Sequence, residues 1–108
     1  MATLVLVHGM SHGAWCWEKV TPLLRAAGHD VHTLTLTGLG ERAHLRNNEI
    51  DLNTHIQDVV NVFESEDLRD VILVGHSLGG FMAPAVVFLN RKCRIWRGCY
   101  YSDFTSKN

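Results

Sequence analysis

The sequence predicts an α/β protein in which helices cover a parallel sheet. Three observations support this fold class: apolar β-type runs alternate with helical patterns, the clearest runs are continuously apolar, and glycine-rich turns divide the segments. Continuous apolar runs are typical of strands buried on both faces, and strand–helix–strand order produces parallel pairing. We expect about four strands and three helices, folded as a single domain over residues 1–108.

The strand predictions follow the apolar runs. Strands are predicted at residues 3–7, 31–37, 71–75 and 97–102. The first three are rich in Val, Leu, Ile or Thr, and each ends at a glycine or a polar turn. Because helical segments separate consecutive strands, right-handed crossovers are expected.

The first two helices are predicted from residue spacing and from capping residues. Apolar residues recur at helical spacing from Trp17 to Ala27, and Gly28 follows as a C-terminal stop. The polar stretch 41–52 is expected to be a loop. Residues 54–57 have the S/T-x-x-E/Q spacing of a capping box, so the second helix is predicted to begin there.

Composition excludes several classes of protein. The 108 residues carry 10 Lys and Arg against 11 Asp and Glu, and 46% are hydrophobic, as in a soluble globular protein. Basic side chains concentrate in residues 91–97, which we interpret as a helix end and a surface loop because the chain as a whole is not basic. We therefore predict no nucleic-acid partner.

The sequence predicts neither a membrane partner nor a metal site. The first apolar run, residues 4–7, is far shorter than the apolar region of a signal peptide or a membrane span. Cys16, Cys93 and Cys99 show no metal-ligand spacing and cannot all pair, so a reducing, cytoplasmic setting is predicted. No Lys follows the glycines as it would in a phosphate-binding loop, and no cofactor is expected.

The motif that carries chemistry is Gly75-x-Ser77-x-Gly79, between the strand at 71–75 and a helix predicted at 81–89. A nucleophile in this context protrudes from a sharp, strained turn, and glycines two residues to either side allow neighbouring backbone to approach. We therefore predict that Ser77 is a catalytic nucleophile with a positive φ and an exposed hydroxyl. The alternative is a turn whose serine only caps the helix.

A second motif, His8-Gly9, closes the first strand at the place where the other half of an oxyanion hole belongs. The backbone N–H groups of Met10 and Leu78 are predicted to donate to the carbonyl oxygen of a bound substrate. His12 lies on the same loop, and we expect it either to approach the substrate or to fix the loop by a hydrogen bond.

Residues 6–17 (LVHGMSHGAWCW) and 74–80 (VGHSLGG) resemble the α/β-hydrolase fold family, and within it the branch of methylesterases and hydroxynitrile lyases. The resemblance covers residues 3–83 and is weaker over 84–108. It implies a hydrolase without a cofactor that acts on a small-molecule carboxylic ester through an acyl-enzyme. Lyases of this branch have Thr where this chain has Gly9, and commonly an acidic residue at the position of His76, so the resemblance favours an esterase.

The resemblance also implies how the sheet is arranged. In a three-layer α/β-hydrolase fold, the strand at 31–37 lies outside 3–7, followed by 71–75 and 97–102. The last of these strands is then an exposed edge, through which a homo-oligomer is expected to form.

One part of the family's machinery has no match in this chain. The catalytic triad of these enzymes continues from the serine to an acid and then to a late histidine, whereas all seven histidines here precede Ser77. Asp103 is a candidate for the acid, although the acid of this branch usually follows one strand later. We therefore expect the chain to lack the general base. The alternatives to an esterase are a non-catalytic truncated fragment that binds a ligand or a partner, and a hydroxynitrile lyase.

Overall fold

The structure is a computed structural model that describes residues 2–89 and 93–99. Its strands are β1 (Thr3–Val7), β2 (Asp30–Leu34), β3 (Val71–His76) and β4 (Cys93–Cys99). Its α-helices are α1 (Thr21–Ala26), α2 (Leu52–Ser65) and α3 (Leu78–Leu89), and two 3₁₀ helices span Ala14–Trp17 and Gly40–Leu45.

The four strands form one sheet in the order β2-β1-β3-β4, and every neighbouring pair is parallel. The predicted fold class and strand order are therefore confirmed. In the sheet, β2 lies on one side of β1, whereas β3 and then β4 lie on the other side. Because crossovers between parallel strands are right-handed, α1 covers one face while α2 and α3, which contact each other, cover the opposite face.

The main core lies between the sheet and the layer formed by α2 and α3. Successive side chains of a strand face opposite sides, so Val5 and Val7 of β1 contribute to this core while Leu6 faces α1. Phe63 of α2 is fully buried in the same cluster. On the other face of the sheet, α1 buries few of its side chains: Thr21 is the buried residue of that helix, and Leu23 is 69% exposed.

The second strand is shorter than its sequence pattern predicts. It ends at Leu34, because the next backbone donors turn away from the sheet. The N–H of Leu36 donates to His8 Nε2 at 2.9 Å, and the N–H of Thr37 donates to Asp58 at 2.6 Å. Long-range side-chain acceptors, which periodicity does not reveal, thus end the strand early.

The helix boundaries predicted from spacing also shift. The predicted first helix is divided into a 3₁₀ helix and α1, whose first turn contains Pro22. The capping box begins at Asp51 rather than Thr54, because Thr54 is the N3 residue that bonds reciprocally with Asp51. The predicted loop 41–52 includes most of the second 3₁₀ helix and the first residue of α2.

The final elements also differ from their predicted bounds. The third helix starts at Leu78, immediately after the glycine-flanked serine, and continues through Pro84. The last strand spans Cys93–Cys99. Its prediction extends to residue 102, and residues 100–102 lie outside the described residues. The side chains of the basic segment 91–97 also lie outside what the structure describes. No helix in the described part is long and apolar enough to cross a membrane.

Candidate active site

Ser77 lies at the junction between β3 and α3, at the carboxyl end of an inner strand. Its φ is +55°, in the left-handed region that residues with a side chain rarely adopt, and the residue is half-buried. The positive φ predicted for Ser77 is therefore confirmed. Holding a non-glycine residue in this conformation costs about 1–3 kcal/mol, so the surrounding packing must enforce it.

The glycines on either side of Ser77 permit that packing. A Cβ on Gly75 would overlap the backbone of Gly79 and Gly80, and a Cβ on Gly79 would lie 2.5 Å from the carbonyl oxygen of Val7. The turn therefore folds back on itself and rests against the end of β1.

The loop after β1 approaches the same turn. A Cβ built on Gly9 would lie 3.4 Å from Ser77 Cβ, so the backbone at the start of this loop passes beside the serine. Met10 follows and is 63% exposed. Leu78 is the first residue of α3, and the N–H groups of a first helical turn have no acceptor within their own helix. Of the two predicted oxyanion donors, Leu78 directly follows Ser77 in the chain, and Met10 follows Gly9, whose backbone lies beside Ser77.

The buried side chain of His8 holds the loop after β1 in place through two hydrogen bonds. The side chain is fully buried, its Nδ1–H donates to the carbonyl oxygen of Gly9 at 2.6 Å, and its Nε2 accepts from the N–H of Leu36 at 2.9 Å. These partners fix the neutral Nδ1–H tautomer, and burial lowers the pKa of His8 below its ordinary value. His8 therefore ties the loop to the segment after β2, and both its ring nitrogens are occupied.

His12 is held by ring contacts. Its backbone N–H donates to the Gly9 carbonyl oxygen at 3.1 Å, and its ring stacks on His76 at 5.8 Å between centroids. The ring of Trp15 lies nearly perpendicular to the His12 ring, at 5.5 Å between centroids. Its buried Nδ1 has no hydrogen-bond partner within the described part of the chain, so the expected side-chain hydrogen bond is not seen there.

A polar network connects the loop after β1 to the loop after β2. The hydroxyl of Thr35 accepts from the N–H of Ala14 at 2.9 Å and donates to the carboxylate of Glu41 at 2.6 Å. That hydroxyl lowers the pKa of Glu41 below its ordinary value. A Cβ on Gly40 would lie 2.9 Å from the Cα of Gly13, so the two loops pack with almost no space between them.

Among the described residues, no hydrogen bond joins the Ser77 hydroxyl to a histidine ring. His29 accepts from the N–H of Ala2, His32 pairs with Asp30, and His55 donates to the carbonyl oxygen of Thr37. Asp103, the predicted candidate for the acid, lies outside the described residues.

Cys16 does not compete as a nucleophile. Burial raises the pKa of its thiol to about 11, so the reactive thiolate is scarce at neutral pH. Within the described residues there is also no group of three His, Cys, Asp or Glu side chains that could hold a metal ion.

A cleft of about 760 Å³, which the sequence does not predict, opens beside the loop after β1. Met10 and Ser11 form one wall. The other lining residues come from the segment that follows β2 and from His55 of α2. The only sequence signal of these residues is Gly38 in the turn after the second strand, which has a φ of +83°.

The sequence model of the alpha/beta hydrolase family matches residues 4–102 of this chain. The chain belongs to that family. Its sequence is 54% identical over 86 residues to a carbendazim hydrolyzing esterase from Nocardioides sp. (strain SG-4G), covering 80% of this chain and 36% of that protein. It is 43% identical over 84 residues to methylesterase 9 from Arabidopsis thaliana, covering 77% of this chain and 33% of the relative.

Solved structures agree with these relatives. A methylesterase structure from Arabidopsis superimposes with a TM-score of 0.76 at 36% identity, over 91% of this chain and 42% of the other. An extracellular α/β-hydrolase from a Paenibacillus species gives a TM-score of 0.79 at 33% identity, over 93% of this chain and 40% of the other. The chain spans roughly a third of the length of the curated relatives it matches.

Proposed function

We propose that this chain carries the nucleophile and the oxyanion hole of a serine carboxylic-ester hydrolase. The positive φ of Ser77 between an inner strand and a helix is the observation that carries the proposal. Relatives that are named esterases and methylesterases support the reaction class and a small-molecule ester as the substrate.

In the proposed reaction, Ser77 Oγ attacks the carbonyl carbon of the ester while its proton passes to a general base. The N–H groups of Met10 and Leu78 donate to the oxyanion that forms, and the positive end of α3 favours the same charge. The tetrahedral intermediate then collapses, and the alcohol leaves with a proton from the base. Water hydrolyses the acyl-enzyme and regenerates Ser77.

No residue of the described part of the chain is positioned as the general base of this reaction. No described histidine is hydrogen-bonded to Ser77, and a serine hydroxyl is a weak nucleophile at neutral pH without a base. We propose that this chain alone retains only the acceleration that binding and the oxyanion hole provide, about 10³–10⁴-fold over water in the best-studied serine hydrolase.

Local space at Gly9 supports an esterase over a hydroxynitrile lyase. A Cβ at this position would lie 3.2 Å from His76 Cδ2 and 3.4 Å from the His76 carbonyl oxygen, closer than most such contacts. The threonine that the resemblance associates with lyases would therefore require the ring of His76, which lies in the elbow (the turn Gly75–Gly79), to shift by a few tenths of an ångström.

The two remaining proposals concern association and compartment. β4 lies at one edge of the described sheet, which supports association of copies of the chain through that edge, detectable by sedimentation. A free Cys16 thiol supports a reducing, cytoplasmic setting.

Replacing the serine by a thiol tests the proposal without requiring a base. Ser77→Cys places a thiol at the positive end of α3, where its pKa should fall and the oxyanion donors should assist acylation. In a background carrying Cys93→Ala and Cys99→Ala, p-nitrophenyl acetate should acetylate this thiol with stoichiometric release of p-nitrophenolate.

Ser65→Cys in the same background is the matched control. Ser65 is exposed at the carboxyl end of α2, where the helix dipole disfavours a thiolate. We expect the thiol at position 77 to react at least about tenfold faster than the control thiol at pH 7. Equal rates would show that the elbow does not activate a nucleophile and would overturn the proposed function.

A further inference from the structure

The cleft beside the loop after β1 begins at Met10, the residue after Gly9, and the backbone of Gly9 lies beside Ser77. Met10, whose N–H is a proposed oxyanion donor, lines the cleft together with Ser11. An ester whose carbonyl oxygen accepts from that N–H would lie at the part of the cleft that Met10 lines.

Thr37, which also lines the cleft, is held in place by hydrogen bonds to helix α2. The N–H and the hydroxyl of Thr37 donate to the two carboxylate oxygens of Asp58, at 2.6 and 2.8 Å. The carbonyl oxygen of Thr37 accepts from His55 Nε2 at 3.0 Å, and His55 is itself 9% exposed. Helix α2 thus occupies every polar group of Thr37, so the wall keeps its shape when the cleft is empty.

Arg46 supplies a positive charge to this cleft. Its Nε donates to the carbonyl oxygen of Gly38 at 3.2 Å, which orients the guanidinium on the cleft wall. No carboxylate of the described residues forms a salt bridge with it, since both salt bridges found there involve Asp30 or Asp67. The side chains of Asn47 and Asn48 complete the polar lining on the same side.

We propose that the cleft binds a carboxylate on the substrate, held by the guanidinium of Arg46. A planar guanidinium with free Nη donors matches a carboxylate in geometry and charge. The amide side chain of Asn48 supplies a further hydrogen-bond donor, whereas that of Asn47 already donates to the carbonyl oxygen of Leu45. The preferred esters are therefore half-esters, in which one carboxyl group is esterified and reaches Ser77 while a second, free carboxylate reaches Arg46. This inference rests on the proposed function for the ester and on the cleft alone for the carboxylate.

Binding of benzoate to the Ser77→Ala chain tests the carboxylate site independently of catalysis. In a nitrogen–proton correlation spectrum, benzoate should shift the amide signals of Ser11, Gly38 and Asn48 in a saturable manner. Benzamide, which has the same shape without the charge, should shift them at least about tenfold more weakly, as expected when a charge-assisted hydrogen bond is lost.

Arg46→Gln should weaken benzoate binding by about tenfold or more, because it removes the charge and the guanidinium fork. Arg69→Gln is the matched control, since Arg69 is 73% exposed and pairs only at 3.5 Å with Asp67. The control should bind benzoate like the parent chain. Equal binding of benzoate and benzamide, or equal affinity of the two arginine variants, would overturn the inference.

The two proposals fail separately. Loss of benzoate binding with fast acylation of the thiol at position 77 refutes the carboxylate site and leaves the esterase proposal intact. Arg46-dependent binding without fast acylation refutes the esterase proposal alone.

Discussion

The turn at Ser77 and the loop after β1 lie against each other, but they are held by different forces. Backbone packing fixes the turn: Gly75 and Gly79 have no space for a Cβ. Polar side chains fix the loop, through the two ring nitrogens of His8 and the hydroxyl of Thr35. Ser77 is therefore positioned by steric exclusion, and the loop after β1 by a small set of replaceable hydrogen bonds.

This difference explains why the two regions respond differently to substitution. Steric overlap with backbone has no easy relief, because backbone atoms cannot move away like the end of a flexible side chain. A lost hydrogen bond costs less, and its cost depends on pH when the partner is a histidine.

The largest effect is expected at Gly75. Gly75→Ala places a methyl group on the backbone of Gly79 and Gly80, and the free energy of unfolding should fall by about 3 kcal/mol or more. Gly28→Ala is the control, because Gly28 has a φ of +91° but nothing within 4 Å of an added Cβ. It should cost only the backbone strain, about 1–2 kcal/mol. Urea denaturation measures both; equal losses would contradict steric exclusion at the elbow.

A smaller, pH-dependent effect is expected at His8. His8→Leu leaves the buried N–H of Leu36 without its acceptor, which should lower the free energy of unfolding by about 1–3 kcal/mol at pH 7.5. Because the pKa of His8 is lowered in the folded chain, the unfolded chain takes up the proton more readily. The stability that neutral His8 contributes is complete above its ordinary pKa of 6.5 and is lost as the pH falls through the lower, folded-state value.

Thermal unfolding at pH 7.5 and 5.5 separates this effect from general acid sensitivity. The parent chain should lose more stability between the two pH values than His8→Leu does. His44→Leu, which changes an exposed histidine, should keep the pH dependence of the parent. If the stability of His8→Leu depends on pH as strongly as that of the parent chain, the pH dependence does not come from His8.

The same difference between steric and hydrogen-bonded positioning decides which features the sequence predicts. The elbow is local: two glycines flank Ser77 within five residues, and this spacing predicts its positive φ. The hydrogen-bond partners that hold the loop after β1 are distant in sequence, since His8 and Leu36 are 28 residues apart. Periodicity does not identify such a partner, so the early end of β2 and the cleft wall at Thr37 were missed. Asp51 was missed as the N-cap because the Thr54 to Gln57 spacing matched a capping box equally well.

We propose that the chain holds a positioned serine whose general base is not among its described histidines. Labelling with a fluorophosphonate tests it, since phosphonylation of Ser77 requires the same activation as attack on an ester. We predict that peptide mapping at pH 7 finds negligible modification of Ser77 in this chain. Stoichiometric labelling that disappears in Ser77→Ala would contradict it. Repeating the labelling on His12→Ala would then show whether His12 or a histidine of another copy supplies the base.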